Sequence, residues 1–190
     1  MRSATGIAGV ALACIVGLSG CASPPSRFYT LAATARPDGA PPVPCGVVID
    51  GVGLPATVDR SQFVVQLGPN RVLIDEFNRW AAPLGASVAR TVAENLGVLL
   101  ANARVVSGPL APSFDPAYRV TIDVQRFESV PGEAATLDAL WVVRRGAISS
   151  SGRTTTREPV QGDGYEALAA AHSRAIATLS RDIAVAIRTQ

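Results

Sequence analysis

The sequence predicts an α/β sandwich (α+β-like) in which two amphipathic helices cover a mixed, largely antiparallel sheet. Three observations predict this class: short Val- and Ile-rich runs that end at Gly and Pro, one strictly alternating run at residues 118–125, and two long segments whose apolar residues recur at helical spacing. The predicted order of elements is β-β-β-α-β-β-β-α.

The first half of the chain supplies three of these strands and one helix. Residues 46–54 are rich in Val and Ile, which is typical of a strand that is mostly covered. Runs at residues 63–67 and 71–75 flank a Gly-Pro-Asn turn and predict a hairpin. Residues 84–103 follow a proline suited to the first helical position, and their apolar residues recur at a 3.6-residue period, so we expect a helix packed by one face.

The second half predicts three more strands and the second helix. In residues 118–125 apolar and polar side chains alternate strictly, which indicates a half-buried strand. Residues 137–145 and 153–157 continue as strands after Gly-containing turns, so the three are expected to form an antiparallel meander. From residue 163 to residue 188 one apolar stripe again predicts an amphipathic helix.

The N-terminus carries an export signal. A charged residue precedes an apolar run at residues 7–18 that is too short to span a hydrocarbon core of about 30 Å. Leu18-Ser19-Gly20-Cys21 resembles the bacterial lipobox, which predicts removal of residues 1–20 and lipid attachment to Cys21. The alternative is an ordinary secretory signal with a cysteine nearby.

The mature chain is expected to contain one domain behind a short anchor. Residues 21–45 are predicted to form the lipid anchor and a Pro-rich tether with a short docking strand near 28–31, and residues 46–190 a single domain. Ala22, not Asp, follows the cysteine, so in a Gram-negative cell we expect the protein on the periplasmic face of the outer membrane.

Composition and motifs argue against several kinds of chemistry. A net charge of +2 gives no field for nucleic acid. Gly51-Val52-Gly53 lacks the third glycine of a nucleotide-binding loop, and too few Cys and His are present for a zinc site, so no cofactor or metal is expected. The only histidine, His172, falls on the apolar stripe of the last helix and is predicted to be a core residue. We expect no enzyme; a hydrolase would require His172 to be exposed beside a serine and a carboxylate.

Several stretches resemble one family. The residues that carry the resemblance are 28–31 (FYTL), 54–56 (LPA), 59–64 (DRSQFV), 76–84 (EFNRWAAPL), 94–96 (ENL), Tyr118-Arg119-Val120 and Trp141. They are similar to the auxiliary lipoproteins of ABC-type transport systems, including the outer-membrane lipoproteins of the paraquat-inducible (PqiC/YmbA-like) type.

The resemblance implies a partner and a role. It implies an accessory subunit of a mammalian-cell-entry (MCE) type transporter that carries lipids between membranes, with a periplasmic MCE protein as partner and a homo-oligomeric ring as a further expectation. The ATPase would be another chain. The alternative function is an assembly or escort lipoprotein for an outer-membrane protein or a secretion complex.

Five residues within these stretches are candidate partner contacts. They are Asp59, Arg60, Glu76, Arg79 and Trp80. Arg and Trp are enriched in binding hot spots because they combine a large contact area with fixed donors. An internal role is the competing interpretation, in which Arg60 pairs with Glu76 across a sheet edge and Trp80 caps the core.

Substitution of the predicted lipid attachment site tests the anchor. In cells fed labelled palmitate, the wild-type chain should incorporate label and Cys21→Ala should incorporate none, because only the Cys21 thiol starts the acylation. Cys45→Ala is the matched control and should retain the label. Equal labelling of wild type and Cys21→Ala would show that the cysteine is not the attachment site.

Overall fold

The computed structural model describes residues 24–108 and 114–190. The signal peptide and Cys21 therefore lie outside the described residues. Within them the chain forms two helices and two mixed sheets, so the predicted α/β sandwich is confirmed. The elements in chain order are β1 (Arg27–Tyr29), β2 (Gly46–Gly53), β3 (Gln62–Gly68), β4 (Arg71–Trp80), α1 (Leu84–Leu100), β5 (Arg104–Ser107), β6 (Tyr118–Val130), β7 (Ala134–Arg145), β8 (Ile148–Pro159) and α2 (Gly164–Arg188).

The strands divide into two sheets instead of one. Sheet A has the order β1-β4-β3, with β1 parallel and β3 antiparallel to β4. Sheet B has the order β5-β2-β6-β7-β8, in which β2 is parallel to both neighbours and β6, β7 and β8 form the predicted antiparallel meander. Because both edges of β2 are taken by β5 and β6, the β3–β4 hairpin has no place beside β2 and pairs with β1.

Strand β5 is not predicted by the sequence pattern: it has only four residues, and it follows a helix that is three residues shorter than its apolar pattern predicts. The helix ends at Leu100, and Ala101 and Asn102 then adopt positive φ angles of 40° and 48°. A left-handed backbone cannot continue an α-helix, so the chain turns out of it and enters β5 at Arg104.

The core lies between sheet B and the two helices. Alternate residues of β6 (Val120, Ile122 and Val124) point into it, as the strict alternation predicts. The apolar stripes of α1 and α2 cover them, and their central residues Val92 and Leu179 are fully buried. Full burial of one such side chain contributes roughly 1.5–3 kcal/mol, so these stripes supply much of the stability.

The Pro-rich segment before β2 is held against the helices. Leu31 is 2% exposed, and the Asn95 side-chain oxygen accepts hydrogen bonds from the backbone N–H groups of Thr34 and Ala35 at 3.0 and 2.9 Å. Further along, the Val43 N–H donates to the Leu100 carbonyl at 2.8 Å. A strand is present at Arg27–Tyr29, close to the docking strand predicted near residues 28–31. The predicted boundary between tether and domain at residue 45 stays a prediction.

A glycine opposite a tryptophan provides a test of packing. A Cβ on Gly152 of β8 would lie 2.3 Å from the Trp141 ring, and that ring is fixed by a 3.1 Å hydrogen bond from its Nε1 to Thr154 Oγ1. We expect Gly152→Ala to lower the free energy of unfolding by about 1–3 kcal/mol in urea denaturation.

The control is Gly97→Ala in α1, where a Cβ meets nothing within 4 Å. This change should raise stability by roughly 0.5–1 kcal/mol, because alanine loses less conformational freedom in a helix. Equal effects of the two substitutions would contradict the packing described for Trp141.

Candidate partner-contact surface

The surface is shaped by an irregularity in β4. Gln62 of β3 pairs with Arg79, yet the next residue, Phe63, pairs with Asp75, so residues 76–78 bulge out of the ladder. The Asp75 Oδ1 atom accepts hydrogen bonds from the N–H groups of Phe77 and Asn78, both at 2.9 Å. These bonds replace the missing ladder partners and fix the bulge.

The Asp75 carboxylate also joins the bulge to α2 and β1. Its Oδ2 atom accepts from the Tyr165 hydroxyl at 2.6 Å and from Asn78 Nδ2 at 2.9 Å, and the Tyr29 hydroxyl donates to Asn78 Oδ1 at 2.7 Å. Burial acts to raise the pKa of Asp75, but the hydrogen bonds from Tyr165 and Asn78 and from the backbone N–H groups outweigh it and lower the pKa to about 2. The carboxylate is therefore charged at neutral pH.

An aromatic cluster lies beneath the bulge. Phe63 stacks on Trp80 with ring centroids 4.4 Å apart, and Tyr29 and Tyr165 contact the Phe63 ring edge-on at 5.9 and 5.1 Å. Such pairs contribute about 0.5–1.5 kcal/mol each beyond the burial of their area. The cluster thus holds sheet A against α2.

The charged candidates lie together on the outside of this cluster. Asp59, Arg60 and Glu76 are exposed and Arg79 is half-buried. We call these four residues the charged end of sheet A. Three of the four are held by neutral partners: Gln62 Nε2 donates to Glu76 at 3.2 Å, Arg79 donates to Ser61 Oγ at 2.7 Å, and Arg60 donates to the Ala56 carbonyl at 3.4 Å.

The structure distinguishes between a partner-contact role and an internal role for some of the five candidate residues. Trp80 is 5% exposed and packs on Phe63, so it has the internal role and is not available as a surface contact. Arg60 and Glu76 form no ion pair, because Glu76 is bonded to Gln62. Among the ion pairs between described residues, none includes a member of the charged end. Contact with a partner through these four charges stays a prediction.

His172 lies in the core, as its position on the helical stripe predicts. It is fully buried, stacks on Phe127 with centroids 3.8 Å apart, and its Nε2 atom lies 2.8 Å from Ser129 Oγ. Burial lowers the pKa of His172 to about 3, which keeps the ring neutral. His172 is therefore not the exposed histidine that a hydrolase would require.

The residues that build the bulge are not predicted by the sequence patterns. Asn78 follows Asp75 by three positions, a spacing that suits side-chain bonding to a turn and was available as a signal. Tyr165 is separated from Asp75 by 90 positions, and no local pattern indicates that contact.

In residues 24–108 and 114–190 no helix is long and apolar enough to cross a bilayer. The same part of the chain has no group of three or more His, Cys, Asp or Glu placed to hold a metal ion.

Comparison with known proteins identifies the class. The sequence model of the "ABC-type transport auxiliary lipoprotein component" family matches residues 29–184, most of the chain, so this protein belongs to that family. Membership of a lipoprotein family implies association with a membrane. A search of curated proteins finds no match.

Solved structures share the fold. A crystal structure titled only as an uncharacterized protein superposes with a TM-score of 0.72 at 21% identity, covering 86% of this chain and 99% of that one. Protein XCC0632 from Xanthomonas campestris superposes with a TM-score of 0.70 at 19% identity, covering 84% and 93%. A PelC dodecamer from Paraburkholderia phytofirmans reaches a TM-score of 0.36 at 16% identity over 79% and 94%, too low to support an inference.

The lowered pKa of Asp75 predicts a pH-dependent contribution to stability. Since the carboxylate is more acidic in the folded than in the unfolded chain, its contribution is present above about pH 4 and is lost as the pH falls towards 2. We expect Asp75→Asn to lower the free energy of unfolding by about 2 kcal/mol at pH 7. The difference from wild type should shrink below pH 4 in denaturant titrations.

Glu94→Gln is the control for Asp75→Asn. Glu94 forms an exposed ion pair with Arg90 on α1, with side chains 45% and 47% exposed. Its loss should cost less than about 0.5 kcal/mol. A difference for Asp75→Asn that is constant from pH 7 to pH 2 would contradict the hydrogen-bonded carboxylate.

Proposed function

We propose that this protein is the accessory lipoprotein of an MCE-type ABC transporter that moves lipids between membranes. Lipids on Cys21 hold it on the periplasmic face of the outer membrane, and the charged end of sheet A contacts the periplasmic MCE protein. Several copies are proposed to form a ring at the end of the transporter. Family membership supports the transport role, and the geometry of the charged end supports the contact.

The proposed contact is supported by the lack of ion pairs to the charged end within the described residues. The two arginines and two acidic residues of the charged end have no ion-pair partners among the described residues. Three of them, Arg79, Glu76 and Arg60, are nevertheless hydrogen-bonded to Ser61, Gln62 and Ala56, respectively. Charges that are held in place but unpaired are suited to an interface, because a partner can pair them with little further ordering.

The proposed contact requires a stable support. Glu76 lies in the bulge fixed by Asp75, and Arg79 precedes the buried Trp80. Glu76 and Arg79 therefore project from a packed sheet, and Asp59 and Arg60 lie in the bend that leads into β3. This support limits the entropy lost on binding.

Charge reversal tests the proposed interface. In cells treated with a crosslinker, Arg60→Glu should reduce recovery of the MCE protein with this lipoprotein by roughly 30-fold, the equivalent of about 2 kcal/mol for a hot-spot residue. Arg181→Glu is the matched control: Arg181 is an exposed arginine on α2, and its reversal should leave recovery unchanged.

Three outcomes count against the proposal. Equal recovery with Arg60→Glu and with Arg181→Glu would exclude the charged end as the interface. Recovery of no MCE protein by the wild-type chain would exclude the transport role. Recovery of a secretion component or an outer-membrane protein in its place would favour the assembly and escort alternative.

A further inference from the structure

The opposite end of sheet A is apolar. The β3–β4 hairpin ends in the segment Leu67-Gly-Pro-Asn-Arg-Val-Leu-Ile74, which we call the apolar tip. Its four large apolar side chains are all exposed, at 46% for Leu67, 41% for Val72, 42% for Leu73 and 36% for Ile74. Of the ten large apolar side chains that are exposed in the described residues, six lie in the three strands of sheet A.

The composition of the tip is unusual for a strand that faces water. Successive residues of β4 point to opposite faces, so Val72 and Ile74 expose one face and Leu73 the other. Edge strands such as β3 are usually protected from aggregation by charged residues, yet Arg71 is the only charge in the tip. Both faces of the tip therefore carry exposed apolar side chains, and Arg126 and Glu128 of β6 lie beside the Val72 face.

The direction of the chain places the predicted anchor beside the tip. Strand β1 runs parallel to β4, with Arg27 next to Asn78, so the chain that precedes Arg27 leaves towards the beginning of β4 at Arg71. Cys21 is six positions before Arg27 and lies at most about 20 Å from it. The bulge shortens β4, so the seven steps from Asn78 back to Arg71 span less than the roughly 23 Å of an extended strand. The lipid anchor and the apolar tip thus reach the same side of the domain.

We infer that the apolar tip inserts into the same membrane leaflet that holds the lipids on Cys21, and so forms a second point of attachment. This inference rests on the lipid anchor of the proposed function. The partner it commits to is the phospholipid bilayer: the Leu, Val and Ile side chains enter the region between headgroups and acyl chains, and Arg71 pairs with lipid phosphates.

Attachment at two points fixes the orientation of the domain. A lipid anchor at a single point leaves the domain free to rotate, whereas insertion of the tip aligns sheet A with the membrane normal. The six steps of β3 from Gly68 to Gln62 then raise the charged end about 20 Å above the tip. The charges face the periplasm, where the proposed partner lies.

Fluorescence depth measurement tests the insertion. The chain carrying Leu67→Trp is produced with its signal sequence in a bacterial host, purified, and reconstituted into vesicles of phosphatidylethanolamine and phosphatidylglycerol whose acyl chains are brominated. The introduced indole should shift its emission to shorter wavelength and lose at least about half its intensity relative to unbrominated vesicles, because bromine quenches indoles within the bilayer. The native Trp80 and Trp141 are buried and give a constant background.

Ile148→Trp is the matched control. Ile148 is 59% exposed and pairs with Arg145, at the opposite end of β7 from the Val130 and Pro131 turn that lies beside the tip. The eleven steps of β7 place it roughly 35 Å from that turn. Its emission should be the same in brominated and unbrominated vesicles.

The possible outcomes distinguish failure of the tip insertion from failure of the lipid anchor. Flotation of the protein with the vesicles, combined with no quenching of Leu67→Trp, overturns the insertion and leaves the anchor intact. Failure to float shows that the lipid anchor itself is wrong, and the inference falls with it. A concentration-dependent blue shift of Leu67→Trp without vesicles identifies a second copy of the chain as the occupant and also overturns the inference.

Discussion

The Asp75 carboxylate is the group on which the arrangement of sheet A depends. Its two oxygens accept hydrogen bonds from the Phe77 and Asn78 N–H groups, the Asn78 side chain and the Tyr165 hydroxyl. One side chain therefore fixes a bulge in β4 and joins the sheet to α2. Without the bulge, β4 would continue its ladder with β3, and the residues from 76 to 79 would lie in a different register and direction.

Sheet A consequently has two ends of different character. One end carries four charges that have no ion-pair partner among the described residues, three of them bonded to neutral groups, and the other exposes Leu, Val and Ile on both faces. The aromatic cluster around Phe63 and Trp80 is packed between sheet A and α2 and keeps the sheet rigid. A rigid element that is apolar at one end and charged at the other is suited to a position between a membrane and a periplasmic protein.

Much of the fold could be predicted because its signals are local. The stripes of α1 and α2 and the alternation in β6 follow from periodicity, and His172 was placed in the core by its angle on the helix. The division into two sheets could not be predicted, since it depends on which strands occupy the edges of β2. The candidate site was located by resemblance, but its geometry depends on Tyr165, a contact between distant parts of the chain.

In the proposed arrangement, sheet A lies between membrane and partner with its charged end outward. Photocrosslinking in intact cells, with a photoreactive residue at position 60 in one strain and at position 73 in another, tests it most directly. We expect position 60 to crosslink to the proposed periplasmic MCE partner and position 73 to phospholipid. Crosslinking of position 73 to protein, or of position 60 to lipid, would contradict it.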